Sequence, residues 1–308
     1  MQLSPQATWP ALPLDSWQDT CATLHMWTQI VGKVRLALAP RVNHWWQVPF
    51  YSSARGLTTS LIPYKDLSFE IEFNFQTHQL TITTSDGRFE AIDLYPRSVA
   101  DFYETFMATL RVLEIDVTIW PVPVEVPNPI PFAEDTVHAA YDADAVTRFW
   151  EIVRQSALVF DQFRSSFLGK CSPVHFFWGS FDLAYTRFSG RRAPARNDAD
   201  PILRRIMAEA YSHEVISFGW WPGAGPLNAP AYYAYAIPEP SGYPDAVIQP
   251  NPAFYSREMG EFILLYDDMR LADSPEGALL QFLETSYSAA ADLAGWNRAE
   301  LERSSTGT

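Results

Sequence analysis

The stretch FEIEFNF, residues 69–75, has the clearest structural pattern in the chain. Phenylalanine or isoleucine occupies every second position, and Glu70, Glu72 and Asn74 stand between them. Because successive side chains of a β-strand point to opposite faces, this alternation predicts a strand with one apolar and one polar face. An Asp86-Gly87 pair follows between two more strand-like runs, in a sequence typical of a hairpin turn. An antiparallel sheet is therefore expected here.

Helices are predicted on both sides of these strands. Apolar residues recur at helical spacing over residues 17–38, and Ser98 is placed to cap a helix through FYETFMATL. A long helix is expected over about 142–168, and a shorter one is expected to begin at Pro201 with Asp200 as its cap. Further strands and a closing helix follow. This order predicts an α+β protein with antiparallel sheets flanked by helices.

The proline-rich stretch PVPVEVPNPIPF, residues 121–132, interrupts the pattern. Its prolines favour an extended, semi-rigid segment. We therefore expect an N-terminal half, 1–126, and a C-terminal half, 142–308, joined by a connecting segment, 127–141. Short shared words (HWW and HFF, FYET and FLET) suggest that the halves are duplicated. Two similar but unrelated layers of helix on sheet explain them equally well.

Composition excludes several classes of protein. The chain has 308 residues, of which 47% are hydrophobic and 15% aromatic, enough for a large core. Its net charge of −14 and the lack of a Lys/Arg run argue against a nucleic-acid partner. No signal peptide or apolar run of bilayer-spanning length is recognisable, so no membrane partner is expected. Two cysteines without a CxxC motif fit a reduced, cytoplasmic setting.

The densest stretch is SPVHFFWGSFDLAYTRFSGR, residues 172–191, with a histidine, an aspartate, two arginines and six aromatic residues. A glycine inside a strand often marks a bulge. A bulge near Gly179 is expected to bring Asp182 to the face of His175, and the far end of the segment is expected to carry Asp182, Arg187 or Arg191 to the rim of a pocket. In the alternative interpretation, this is an aromatic core strand whose aspartate pairs with an arginine.

The candidate catalytic residues are two histidines and two carboxylates: His175 and His213 as acid or base, with Asp182 or Glu214 to orient the histidine. His25 shares a helix face with Cys21 and Gln29 and is interpreted more readily as a core residue than as a functional one. The motif HExxH is absent, and no ligand pair has metal-binding spacing, so no metal site is assigned.

The expected ligand-binding groups are arginines and aromatic residues. A guanidinium group binds carboxylate or phosphate through two hydrogen bonds. Each of two Trp pairs, 45–46 and 220–221, is expected in a strand, where one ring can fill the core and the other can form a pocket wall. The ligand-binding candidates are Arg187, Arg191, Arg55, Trp45, Trp46, Trp178, Trp220, Tyr211 and His44.

The words TLHMWTQIVGKVRLAL, NHWW, SPVHFFWGSFDL, TRFSGR and YSHEV resemble a bacterial family catalogued only as a domain of unknown function. The resemblance covers nearly the whole chain and implies no reaction. Its signature words contain His25, His44, His175, Asp182, Arg187, Arg191, Tyr211, His213 and Glu214.

Together these observations favour an enzyme that acts on a small anionic metabolite in an aromatic-walled pocket lined by histidine and arginine. Two alternatives stay open: a non-catalytic small-molecule binding protein, and a protein whose histidines His44, His175 and His213 bind iron or zinc. No cofactor is indicated, and the sequence does not address the oligomeric state.

Overall fold

The structure is a computed structural model that describes residues 8–195 and 201–303. Within these residues the fold is α+β, as predicted, with seven α-helices and two antiparallel sheets of six strands each. The helices are α1 (Gln18–Leu38), α2 (Val99–Val112), α3 (Ala143–Ser165), α4 (Pro201–Ala210), α5 (Tyr266–Arg270), α6 (Pro275–Leu293) and α7 (Arg298–Leu301). None of these helices combines the length and the apolar character that a bilayer crossing requires.

The first sheet contains the alternating stretch FEIEFNF, residues 69–75. Its strands are β1 (Tyr51–Ser52), β2 (Gly56–Thr58), β3 (Ile62–Tyr64), β4 (Leu67–Asn74), β5 (Gln79–Thr84) and β6 (Phe89–Asp93). Phe69, Ile71 and Phe73 of β4 are buried, as the alternation predicted. The turn at Asp86-Gly87 joins β5 to β6, with Gly87 at φ 91°, so the predicted hairpin is confirmed.

Ser98 caps α2 as predicted: its side chain accepts a hydrogen bond from the backbone N–H of Asp101 at 3.1 Å. The predicted cap of α4, Asp200, lies outside the described residues.

The strands of the second sheet are β7 (His175–Phe177), β8 (Asp182–Arg192), β9 (His213–Trp221), β10 (Ala231–Ile237), β11 (Phe254–Ser256) and β12 (Glu261–Leu265). They lie side by side in the order β11-β12-β10-β9-β8-β7.

The segment around Gly179 is a hairpin and not a long bulged strand, so that prediction was wrong. Residues 178–181 form a turn, after which Asp182 pairs with Phe177. Gly179 therefore lies in the turn that reverses the chain direction. The register shift in β8 occurs further on, between Phe188 and Arg192, where Gly190 has φ 86°.

The two halves share one continuous set of buried apolar side chains. The sheets meet where Phe50 and Phe176 exchange backbone hydrogen bonds of 2.8 and 2.7 Å. Each closing helix packs on the long helix of its own half, α2 on α1 and α6 on α3. This helix packing is compatible with duplicated halves, and the duplication itself stays a prediction.

Residues 121–131, here called the connector, contain no helix or strand. They are tied to α1 by Gln29, whose side chain donates to the Val124 carbonyl at 2.7 Å and accepts from the Val124 N–H at 2.8 Å. The connector therefore covers part of the molecule's interior in addition to joining the halves.

Candidate functional site

A cavity of about 790 Å³ lies between α1, the connector and one face of the second sheet. Helix α1 contributes Cys21 and His25, and the connector contributes most of residues 123–130. The sheet and its turns contribute Ser180, Phe181, Asp182, Trp221, Tyr233, Tyr235 and Glu261. The cavity thus brings together residues from both halves of the chain.

Strand alternation decides which side chains reach this cavity. On β10, Tyr232 points to the helix layer, where its hydroxyl lies 2.8 Å from that of Ser156 in α3. Tyr233 and Tyr235 therefore face the cavity. On β9, Trp220 is fully buried while Trp221 lines the cavity. One ring of this pair fills the core and the other forms a pocket wall, as expected. The ring at the pocket is that of Trp221, whereas Trp220 was the one chosen from the sequence.

Gly219 gives Tyr233 the room to cross the sheet. Gly219 on β9 pairs with Tyr233 on β10, and a Cβ atom at Gly219 would lie 2.2 Å from the Tyr233 ring. The Tyr233 hydroxyl donates a hydrogen bond to Oδ2 of Asp182 on β8, and the Ser180 hydroxyl donates to Oδ1. Asp182 is only 7% exposed, and this burial raises its pKa although both hydrogen bonds oppose the shift.

The tyrosine wall continues away from Asp182. The rings of Tyr233 and Tyr235 stack with centroids 5.9 Å apart, and the hydroxyl groups of Tyr235 and Tyr211 lie 2.8 Å apart. Burial raises the pKa of both Tyr233 and Tyr235 well above the usual value, so both phenols stay protonated near neutral pH.

Two further carboxylates face the cavity. Burial, assisted by the charge of Asp182, raises the pKa of Glu261 to about 7 and also raises that of Glu125. The carboxylate of Glu125, on the connector, is directed at Gly179, where a Cβ atom would lie 2.5 Å from its Oε1. Among the described residues, no side chain donates a hydrogen bond to Glu125 or Glu261. No lysine or arginine of the described residues lines the cavity.

Histidines form the opposite side. His25 of α1 has Nε2 at 2.9 Å from the Gly179 carbonyl oxygen, and burial lowers its pKa to about 4, which keeps it neutral. Next to it, His138 and the buried Asp135 form a pair at 2.7 Å. His25 therefore lies at the cavity with Cys21, on the helix face noted in the sequence but interpreted there mainly as core.

Of the residues chosen from the sequence, Asp182 and Tyr211 line the cavity. Of the three charged residues predicted to reach the rim, Asp182 does so and Arg187 does not. Arg187 is 1% exposed, lies 3.6 Å from the centre of the Phe163 ring, and donates to the Phe163 carbonyl at 2.5 Å and to Ser166 Oγ at 3.2 Å. Asp182 and Arg187 are an odd number of positions apart on one strand, so they face opposite sides of the sheet. Arg187 thus supports the C-terminal end of α3.

Arg191 and Glu214 form a surface pair away from the cavity. Their side chains lie 2.7 Å apart, and Arg191 also donates to the carbonyl of Ala294 at 2.7 Å, at the end of α6. Arg55 likewise pairs with Glu72 at 2.7 Å. All three arginines chosen as anion ligands are therefore engaged within the protein.

The segment Asn43–Trp45 contacts α4 through side-chain hydrogen bonds. It forms a short 3₁₀ turn with His44 at φ 60° and not the strand that was expected. His44 Nδ1 lies 3.1 Å from the carbonyl oxygen of Ala210, and Trp45 Nε1 donates to Ile206 at 3.1 Å. His213 is near, with its ring centroid 6.1 Å from that of His44. Lys170 Nζ lies 2.7 Å from His44 Nε2.

The remaining choices, apart from the half-buried Trp46, are packed in the interior. Trp178 is directed inward as predicted, and its Nε1 donates to the Val48 carbonyl at 2.8 Å. His175 is buried between aromatic rings, with those of Phe177 and Trp46 at 4.6 and 6.5 Å. In the part of the chain that the structure describes, no group of three histidine, cysteine or acidic side chains is arranged to hold a metal ion.

Residues 9–303 match a family model described as a family of unknown function, DUF5996. The chain belongs to this family. Neither the curated proteins nor the solved structures give a match. Membership of DUF5996 brings no assigned activity, so the chemistry of the cavity is the basis for a function.

Proposed function

We propose that the protein binds a small organic cation in this cavity. The observation that carries the proposal is the charge of the lining. Glu125, Asp182 and Glu261 contribute carboxylates, and none of the described lysine or arginine residues lines the cavity. The anionic metabolite expected from the sequence would meet like charges here, and the arginines expected to hold it lie elsewhere.

The negative charges of these carboxylates make the cavity complementary to an ammonium group. Burial and, after it, the charge of Asp182 raise the pKa of both glutamates, so the ionised carboxylates destabilise one another. A bound cation removes this repulsion and supplies donors to the two glutamates. The faces of Trp221, Tyr233 and Tyr235 suit the apolar part of an amine and attract its charge.

An enzyme that acts on such a cation is the second candidate. It is favoured by Glu261, which changes protonation near neutral pH and faces the cavity without a donor. A general acid or base works best when its pKa is close to the working pH. Incubation with a mixture of biological amines, followed by mass spectrometry, distinguishes the candidates: conversion favours the enzyme, and retention without conversion favours the binder.

The proposal is tested with three ligands of nearly the same shape: benzylamine, benzyl alcohol and benzoate. Calorimetry at pH 8 is expected to rank their affinities in that order. Glu261→Gln and Asp182→Asn are each expected to weaken benzylamine binding about tenfold, the loss of roughly one charged hydrogen bond. Glu284→Gln, which removes an exposed carboxylate on α6, serves as the control and should bind as the wild type does.

Binding of benzylamine should also weaken between pH 8 and pH 5.5, because Glu261 takes up a proton in this range. If benzoate binds more tightly than benzylamine to the wild-type protein, the proposal is wrong.

A further inference from the structure

We propose a second ligand site, which binds a small monovalent anion such as chloride between Arg35 of α1 and His175 of β7. Neither residue lines the cavity described above, so this site does not depend on the function proposed for it. Two buried hydrogen-bonding atoms without a partner carry the proposal.

The first of these atoms belongs to Arg35. Its side chain is 7% exposed, its Nε donates to the Gln47 carbonyl at 2.6 Å, and its Cζ lies 5.4 Å from the centre of the Tyr51 ring. Its Nη1 is buried and has no hydrogen-bond partner among the described residues. Burial lowers the pKa of Arg35, and a hydrogen bond between its guanidinium group and the Tyr51 hydroxyl partly offsets this shift. In residues 8–195 and 201–303, no carboxylate lies within salt-bridge distance of Arg35. Because a guanidinium group keeps its charge, this is a buried cation without a counter-ion.

The second atom is Nδ1 of His175. His175 is 1% exposed, and its Nδ1 is also buried without a partner. Burial and the neighbouring charge of Arg35 lower the pKa of His175 to about 3, so the ring is neutral at physiological pH. In the tautomer that carries hydrogen on Nδ1, the ring donates one hydrogen bond. Both residues flank Tyr51: Arg35 Cζ lies 5.4 Å from the centre of its ring, and the His175 ring centroid lies 6.3 Å from it.

A bound anion would satisfy the two unpartnered hydrogen-bonding atoms and balance the charge of Arg35. It accepts from Nη1 and Nδ1, and it neutralises Arg35. A water molecule would satisfy the hydrogen bonds and leave the charge uncompensated. A single positive charge calls for a monovalent anion, and two fully enclosed donor atoms call for a small one. The rings of Trp46 and Phe177, at 6.5 and 4.6 Å from that of His175, favour a weakly hydrated ion.

The first experiment measures the thermal unfolding midpoint at constant ionic strength while chloride replaces gluconate, which is too large for an enclosed site. The midpoint of the wild-type protein should rise and saturate with chloride, since an ion that binds only the folded state stabilises it. Arg35→Met should abolish this dependence. Arg257→Met is the matched control, because the side chain of Arg257 is 74% exposed and pairs with the exposed Asp245.

The second experiment needs no variant and therefore does not depend on whether Arg35→Met folds. Crystals of the wild-type protein grown with bromide should give an anomalous peak within about 3.5 Å of Arg35 Nη1 and His175 Nδ1, the range of a hydrogen bond to a large anion. An ordered water at this position, with no anomalous signal, overturns the proposal. So does a chloride dependence that Arg35→Met retains.

Discussion

Replacement of Glu261 by glutamine is expected to stabilise the folded protein at alkaline pH while it weakens cation binding. Burial and the charge of Asp182 raise the pKa of Glu261 from 4.5 to about 7 in the folded state. The folded protein therefore holds a proton here more readily than the unfolded chain does. The free energy of unfolding falls as pH rises from about 4.5 to about 7, and above this range the whole cost of the ionised group is present.

The size of the effect follows from the shift in pKa. At about 1.4 kcal/mol per pKa unit, a rise from 4.5 to about 7 corresponds to roughly 3 kcal/mol. Glu261 is only partly buried beside an open cavity, so solvent screening should reduce this to about 1–2 kcal/mol. Glutamine keeps the shape of the side chain and removes the charge.

Urea unfolding at pH 5 and at pH 8.5 measures this difference, with Glu284→Gln as a control for the loss of one surface charge. Glu261→Gln should unfold at a higher urea concentration than the wild type at pH 8.5 and at nearly the same concentration at pH 5. If the wild type is the more stable protein at pH 8.5, the Glu261 carboxylate is stabilised in the fold and the reasoning about its charge is wrong.

Three further predictions concern packing around the site. Gly219→Ala would place Cβ 2.2 Å from the Tyr233 ring, so we expect a loss of about 1–3 kcal/mol in denaturant unfolding, and an unchanged midpoint would contradict the close packing seen here. Arg187→Ala should lower the free energy of unfolding by about 3 kcal/mol, because Arg187 supports the end of α3. Arg187→Lys should restore little of this stability, and neither variant should change ligand binding. Loss of binding at unchanged stability would refute this role. Gln29→Ala should increase hydrogen exchange at the Val124 amide by about tenfold, and exchange at the wild-type rate would show that the connector is held by other contacts.

Local patterns in the sequence predicted the parts of the fold that local physics decides. The alternation over 69–75, the Asp86-Gly87 turn and the Ser98 cap each depend on neighbouring residues only, and the structure has all three. The turn at 178–181 was mistaken for a bulge because a glycine among bulky residues is compatible with both.

The candidate site was harder to predict because it is made by tertiary contacts. Asp182 was chosen for its charge in an aromatic strand. Glu125 looked like an ordinary residue of a proline-rich linker, and Glu261 like the polar start of a strand. The alternation in AYYAYAI indicates that Tyr233 and Tyr235 share a face, but not that this face borders a cavity. The sheet order supplies that information, and no short stretch of sequence encodes it.

The walls of the cavity come from distant parts of the chain, and this has a consequence for how the protein matures. Gln29 and Val124 are 95 positions apart, and His25 and Gly179 are 154 apart. During synthesis α1 leaves the ribosome long before β12, so the helix waits for its partners. The carboxylates meet only when Glu261 docks, and the approach of like charges then opposes that contact. A cationic ligand that binds only the folded state would stabilise it, so the fraction of native protein in a cell would rise with its supply.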